Sequence, residues 1–294
     1  MHTLFGSEDR IDVKRAIIDR VVEFQQGGTN MVARSERNLL GRSGPGLFTG
    51  RTVVLTGATP DFGETLSIYL AGQGARLYLS ARSLAEAEKT ASFVRSCVPA
   101  AVVDTCKADL CDADSIAAFA AFVADRAGSI DILINNASMW LPGYFADASD
   151  EAIAETIGST VSGSLILVRH LLPLLKASAG ADVVNIVARC ALAHDRHFTS
   201  SEVFSSAKAA MAHGFEVLRS HLRKYGIRVI SLYPPNFRNL PILDFKTWME
   251  RRESAQYRYL SSRNVLDALI FALRCERSCS ISTVELSNSY TELF

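Results

Sequence analysis

The densest run of groups able to move protons lies at 189–197, Arg189-Cys190-Ala191-Leu192-Ala193-His194-Asp195-Arg196-His197. An imidazole changes charge near neutral pH, so His194 or His197 could act as a general acid or base, and Arg189 could stabilise an enolate or oxyanion. Loop histidines with no catalytic role are the alternative. Two histidines three residues apart could also open a metal site, but no third ligand accompanies them and none is expected. Phenolic donors stand at Tyr144 and Tyr233. Cys97, Cys106, Cys111, Cys190, Cys275 and Cys279 show no C-x-x-C pairing, which reads as reduced thiols of a cytosolic protein.

A different cluster suits anions. Thr56-Gly57-Ala58-Thr59-Pro60-Asp61-Phe62-Gly63 follows an apolar run and opens a helix. Glycines in such a turn let the backbone approach a phosphate, and the exposed amides of the helix N-terminus attract it.

Positioning these groups is the task of a regular alternation. Short apolar runs at Thr52–Thr56, Arg76–Ser80, Val102–Cys106, Ile132–Asn135, Val183–Val187, Arg228–Leu232 and Ile281–Leu286 are separated by helix-length segments. Short β-branched strands linked by helical crossovers predict an α/β fold with a doubly wound, Rossmann-type parallel sheet of about seven strands. Ligands of such sheets sit beyond the carboxyl ends of the strands, at the point where strand order reverses. Ahead of this unit, Val13, Ile17, Val21 and Phe24 recur at helical spacing and Gly27-Gly28 stops the pattern, predicting an extra N-terminal helix. The chain therefore divides into an N-terminal helical extension and linker over 1–47 and one domain over 48–294. The long connection Asn236 to Ser262 holds Phe237, Phe245, Trp248, Met249, Tyr257 and Tyr259, and reads either as a lid or as an ordinary packed helix pair.

Bulk properties narrow the partners. The 294 residues carry 31 basic and 31 acidic side chains. With no charge excess, there is no electrostatic case for nucleic acid or an anionic membrane surface. The most apolar stretch, Val161 to Leu175, is interrupted by Arg169, His170 and Pro173, and the first residues show no secretory pattern. These features predict a cytoplasmic protein with a small-molecule substrate, no nucleic acid and no membrane.

The order Thr56-Gly57 to Gly63, Asp109-Leu110, Asn135-Asn136-Ala137-Ser138 and Phe204-Ser205-Ser206-Ala207-Lys208 resembles the motif series of the short-chain dehydrogenase/reductase family, from about residue 50 to the seventh strand. The resemblance implies the doubly wound fold and NADP or NAD as cofactor. By the same resemblance, Thr56, Gly57, Gly63, Asp109, Asn136 and Lys208 belong to the nucleotide site, and Arg82 after the second strand would suit the ribose phosphate of NADP(H). It also implies a homo-oligomer paired through the helix carrying Ala207, Ala210, Met211, Gly214, Val217 and Leu218, a face that could equally be core. The N-terminal helix is a candidate contact for a protein partner.

The departures bear on mechanism. Phe204 stands where the family has its proton-donating tyrosine, Ala188 at its serine and Thr160 at its asparagine; of the catalytic set only Lys208 is evident. Asp61 replaces a turn glycine, where it would compete with a phosphate and weaken nucleotide binding, and its carboxylate could itself cap the helix. Pro235 replaces a glycine beside the nicotinamide position, removing a backbone donor. The expected function is an enzyme acting on a small carbonyl or hydroxyl compound by an atypical route, either NAD(P)H-assisted redox or non-redox proton transfer, isomerisation, dehydration or cyclisation. His194, His197, Arg189, Tyr144 and Lys208 are its candidate catalytic residues. The alternative is a non-catalytic binding or regulatory subunit.

Overall fold

The predicted strands form with their ends shifted by at most two residues: β1 (Thr52–Thr56), β2 (Arg76–Ala81), β3 (Val102–Lys107), β4 (Ile132–Asn135), β5 (Asp182–Ile186), β6 (Arg228–Tyr233) and, after two short bridging strands described below, β9 (Thr283–Glu285). The computed structural model describes residues 46–193, 200–244, 247–248 and 259–289. The N-terminal helix, the linker, His194, His197, Phe245, Met249 and Tyr257 lie outside the described residues.

All seven strands run parallel in the order β3-β2-β1-β4-β5-β6-β9. The chain winds outward from β1 to β3, then returns to β4 on the other side of β1, so the order reverses between β1 and β4. Central strands covered on both faces must be apolar throughout, and Val53, Val54, Leu55, Leu133, Ile134, Val183, Val184, Val229 and Ile230 are fully buried.

Helices α1 (Phe62–Gly72), α2 (Leu84–Cys97) and α7 (Ser262–Arg274) bury Leu66, Leu70, Ala91, Val94, Val265 and Leu269 against one face. Helices α3 (Ala113–Ala124), α5 (Gly163–Ala177) and α6 (Glu202–Leu222) bury Ile116, Phe119, Leu167, Leu171, Met211 and Phe215 against the other. Of the expected pairing face of α6, Ala207 and Met211 belong to this core, whereas Ala210 and Val217 are exposed.

A π-helical turn, Gly158–Ser162, joins α4 (Asp150–Ile157) to α5. The resulting stretch Asp150–Ala177 is long and apolar enough to cross a membrane by length and composition alone. Its apolar stripe is occupied otherwise, with Leu167, Val168, Leu171 and Leu175 packed into the core. Gly163 lets the helix touch the loop after β3, because a Cβ there would lie 2.2 Å from the Leu110 carbonyl oxygen.

Within the long connection, β7 (Phe237–Arg238) pairs with β8 (Leu260–Ser261). Phe237 meets the ring of Phe62 edge-on at 5.2 Å and Trp248 is 2 % exposed. The described aromatic residues of this segment thus favour packing over a free lid, with Tyr259 left at the surface.

Candidate active site

Strand register brings Thr56, Asn135 and Ile186 to one edge of the sheet: Leu55 pairs with Ile134, Asn135 with Asn185 and Ile186 with Leu232. The site is built on the loops that leave this edge.

The turn after β1 is tied to the loop after β4. Gly57 has φ +68, in the left-handed region, and a Cβ on it would fall 2.8 Å from Ala137 Cα. Glycine is required there on both counts. The amides of Asn136 and Ala137 donate to Thr56 Oγ1 at 3.2 and 3.1 Å, and Asn136 Nδ2 donates to the Thr56 and Gly57 carbonyls at 3.3 and 3.0 Å. Thr56 and Asn136 therefore shape the cradle, with these polar atoms engaged in holding the two loops together. Gly63 closes it from below, since a Cβ would lie 2.0 Å from the Gly57 carbonyl oxygen.

Asp61 is the departure within this turn. Sequence alone suggested that its carboxylate could cap α1, but no side-chain cap hydrogen bond forms. The residue precedes α1 with its backbone extended (φ −164) and is exposed at the rim. Desolvation of its carboxyl raises the pKa above the usual carboxylate range, with the neighbouring Phe62 amide opposing. At the outer end of the cradle, Arg82 is exposed just past β2, and Asp109 uses one carboxylate oxygen to accept from the Cys111 amide at 3.0 Å. A left-handed glycine, a second glycine under the turn, a helix N-terminus without a side-chain cap and an arginine past β2 fit a dinucleotide phosphate. Asp61 and Glu64, the latter in the first turn of α1, oppose it.

Under the sheet edge lies Lys208, 3 % exposed, whose ammonium donates to the Ile186 carbonyl at 2.8 Å. Burial lowers its pKa to about 8, with Cys190 nearby acting in the opposite direction. Phe204 packs one helical turn earlier on the same face, its ring centre 5.5 Å from Lys208 Nζ and 4.7 Å edge-on from the ring of Trp140. Trp140 is thus a packing partner at the tyrosine position. Its loop is pinned to the start of α6, where Ser201 Oγ donates to the Leu141 carbonyl at 2.6 Å and the Phe145 amide to Glu202 at 3.2 Å.

The other named candidates are dispersed. Tyr144 is 78 % exposed, beyond a left-handed Gly143 that turns the chain outward. Tyr233 is 8 % exposed and packs with Val187 and Ala212, and burial raises its pKa. Arg189 reaches toward the sheet edge, with its Nε 3.7 Å from a Glu285 carboxylate oxygen on β9. This pairing engages the guanidinium with β9. Ala188 offers no hydroxyl. Thr160 is fully buried and its Oγ1 lies 2.9 Å from Ser138 Oγ. Ser138 was not among the residues expected in the site; a hydroxyl in the loop just past a site-forming strand was the available signal. Among the described residues no group of three His, Cys, Asp or Glu could hold a metal, and the six cysteines are free.

A family profile described as short chain dehydrogenase matches residues 51–242. An uncharacterised oxidoreductase of Staphylococcus saprophyticus is 24 % identical over 234 residues, covering 80 % of this chain and 95 % of that one. Human retinol dehydrogenase 12 is 36 % identical over 137 residues, covering 47 % of this chain and 43 % of its own length. Among solved structures, an alcohol dehydrogenase from the archaeon Thermococcus sibiricus, complexed with 5-hydroxy-NADP, superposes with a TM-score of 0.69 at 21 % identity, covering 82 % of this chain and 97 % of that one. L-sorbose reductase from Gluconobacter frateurii, complexed with NADPH and L-sorbose, also gives 0.69, at 19 % identity, over 84 % and 98 %.

Proposed function

The chain belongs to the short-chain dehydrogenase family, and we propose that it is a nicotinamide-dependent oxidoreductase of a small carbonyl or hydroxyl compound in which Lys208, not a tyrosine, supplies the proton. The observation that carries this reading is the state of Lys208. An ammonium has three donors, yet this one is buried and, among the described residues, makes a single hydrogen bond, to Ile186, and its pKa near 8 makes it an effective acid and base around neutral pH. A ligand oxygen within its reach would satisfy a second donor.

Gly57, Gly63 and the amides opening α1 would hold the pyrophosphate, Asp109 the adenine side and Arg82 a ribose phosphate, which favours NADP over NAD. When bound, a reduced nicotinamide supplies a hydride to a carbonyl carbon. The chain's own residues do the rest: Trp140 and Phe204 give the pocket an aromatic wall, and the Lys208 ammonium gives one proton to the carbonyl oxygen, leaving a neutral amine that solvent reprotonates. His194 and His197 remain candidates for that reprotonation, and alanine at both leaving turnover unchanged would remove them.

The loss of hydroxyls at Phe204 and Ala188 favours a second reading, a non-catalytic binding subunit. One set of measurements separates the two. NADPH should quench the fluorescence of Trp140 and Trp248 with micromolar affinity, and the protein should oxidise NADPH with an aromatic aldehyde. Lys208→Met should reduce that turnover by about 10²-fold or more, and Phe204→Tyr combined with Ala188→Ser should increase it. Nucleotide binding without turnover in any variant would favour the binding subunit, and absence of binding at millimolar NADPH would overturn the nicotinamide assignment. We further propose a cytoplasmic homo-oligomer, with Ala210, Val217 and Leu165 the exposed apolar residues of α5 and α6 available for pairing. The segment 1–47 is then left to contact a protein partner.

A further inference from the structure

Two hydroxyl groups from separate elements meet in the site. Ser138, half-buried on the loop after β4, and Thr160, fully buried, lie 22 residues apart in sequence and 2.9 Å apart at their oxygens. Thr160 sits in the π-helical turn Gly158–Ser162 between α4 and α5. Such a turn sacrifices regular α-helical bonding, is rare, and concentrates at functional sites. The loop carrying Ser138 is fixed on both sides: Asn136 Nδ2 donates to the Gly57 carbonyl two residues before it, and Ser201 Oγ donates to the Leu141 carbonyl three residues after it. Between these anchors the same loop presents Trp140 to Phe204, beside Lys208.

A hydroxyl can donate one hydrogen bond and accept others. Thr160 is enclosed by protein, so it serves best as the donor to Ser138. That leaves the Ser138 proton directed away from Thr160, on the half-buried side of the pair. A donor fixed in this way, at the edge of an apolar aromatic wall, is suited to an oxygen that gains negative charge, because it needs no reorganisation as the charge develops.

We propose that Ser138 is the hydrogen-bond donor to the reacting oxygen of an aromatic or similarly apolar carbonyl substrate, and that Thr160 is its positioning residue. This rests on the oxidoreductase reading above. No bond to Ser138 forms or breaks; it polarises the carbonyl while the oxygen receives its proton from Lys208.

The test uses the full chain with NADPH and benzaldehyde, together with benzyl alcohol binding to the NADP⁺-loaded protein. Ser138→Ala should lower kcat/KM for benzaldehyde by about 10²-fold and weaken benzyl alcohol by about 10-fold, with NADPH affinity held within about 2-fold. Ser138→Thr should restore most of the loss. Thr160→Val should lower kcat by about 10-fold with little change in KM, and Thr160→Ser should rescue it. Unchanged turnover in Ser138→Ala overturns the proposal, as does a parallel loss of NADPH affinity, which would mark a merely structural role. Wild-type protein that binds NADPH but neither reduces benzaldehyde nor binds benzyl alcohol also overturns it and leaves the nucleotide site standing. Failure to bind NADPH overturns the underlying reading itself.

Discussion

At the scale of single residues, Lys208 ties stability to chemistry. Its folded pKa near 8 lies below the ordinary value of a lysine, so the unfolded chain keeps a proton that the folded chain releases earlier. Below about pH 8 both states carry the charge and the folded state bears its full desolvation cost, of the order of 3 kcal/mol. Between about pH 8 and 10 the unfolded state binds more protons, so stability should rise with pH there. Replacing Lys208 by Met should stabilise the ligand-free protein at pH 7 by about 1–2 kcal/mol, the remainder offset by the lost hydrogen bond to Ile186. The two stability curves should cross near about pH 9, above which the wild type, its amine neutral and still bonded to Ile186, is the more stable. Urea unfolding across this range reads the difference directly, and parallel curves would show that the ammonium is not desolvated as described. The sequence identified Lys208 and the missing hydroxyl at Phe204, because both follow from motif position. It could not show that Arg189 reaches to Glu285 or that Tyr144 faces outward, since neither contact is local.

At the scale of elements, the cradle between β1 and α1 is the most informative. Gly63→Ala would place a methyl 2.0 Å from a backbone oxygen that cannot yield without moving the Gly57 turn. A cost of about 1–3 kcal/mol and loss of NADPH affinity are expected. Asp61→Gly should act oppositely on binding. Asp61 provides no capping hydrogen bond to α1, so its removal sacrifices no cap and relieves repulsion of a phosphate, tightening NADPH by about 3–30-fold, most strongly at low salt. Unchanged affinity would place the phosphate elsewhere. The strands were legible because each is a short β-branched run that must be apolar on both faces. The π turn at Gly158–Ser162 was not, because a single extra residue within a 28-residue helical stretch leaves almost no trace in apolar periodicity. With that turn unseen, the meeting of Ser138 and Thr160 was also hidden.

At the scale of the whole molecule, the end of the sheet opposite the site holds the C-terminal segment in place. Asp182, 5 % exposed at the start of β5, receives two hydrogen bonds from Arg228, at 2.7 and 2.9 Å, and one from Arg277 at 2.7 Å. Arg228 continues to the carbonyls of Leu273, Cys275 and Cys279, and Arg277 to those of Ala181 and Gly226. One carboxylate thus pairs with both cations that fasten the turn leading from α7 to β9. Removing it leaves a guanidinium buried without a counter-charge, so Asp182→Asn should cost about 3–5 kcal/mol, far more than the loss of an exposed pair. Arg277→Ala, whose side chain is 39 % exposed, should cost less because Arg228 still meets the carboxylate. Asp182 and the Ile186 carbonyl that holds Lys208 stand at opposite ends of β5, about 13 Å apart along an extended strand. At that separation the two effects should be independent. A double variant of Asp182→Asn and Lys208→Met should therefore lose the stability expected of the first and, at pH 7, keep the stability gained by the second. Departure from that additivity by more than about 0.5 kcal/mol would show that the C-terminal clamp also sets the geometry of the site.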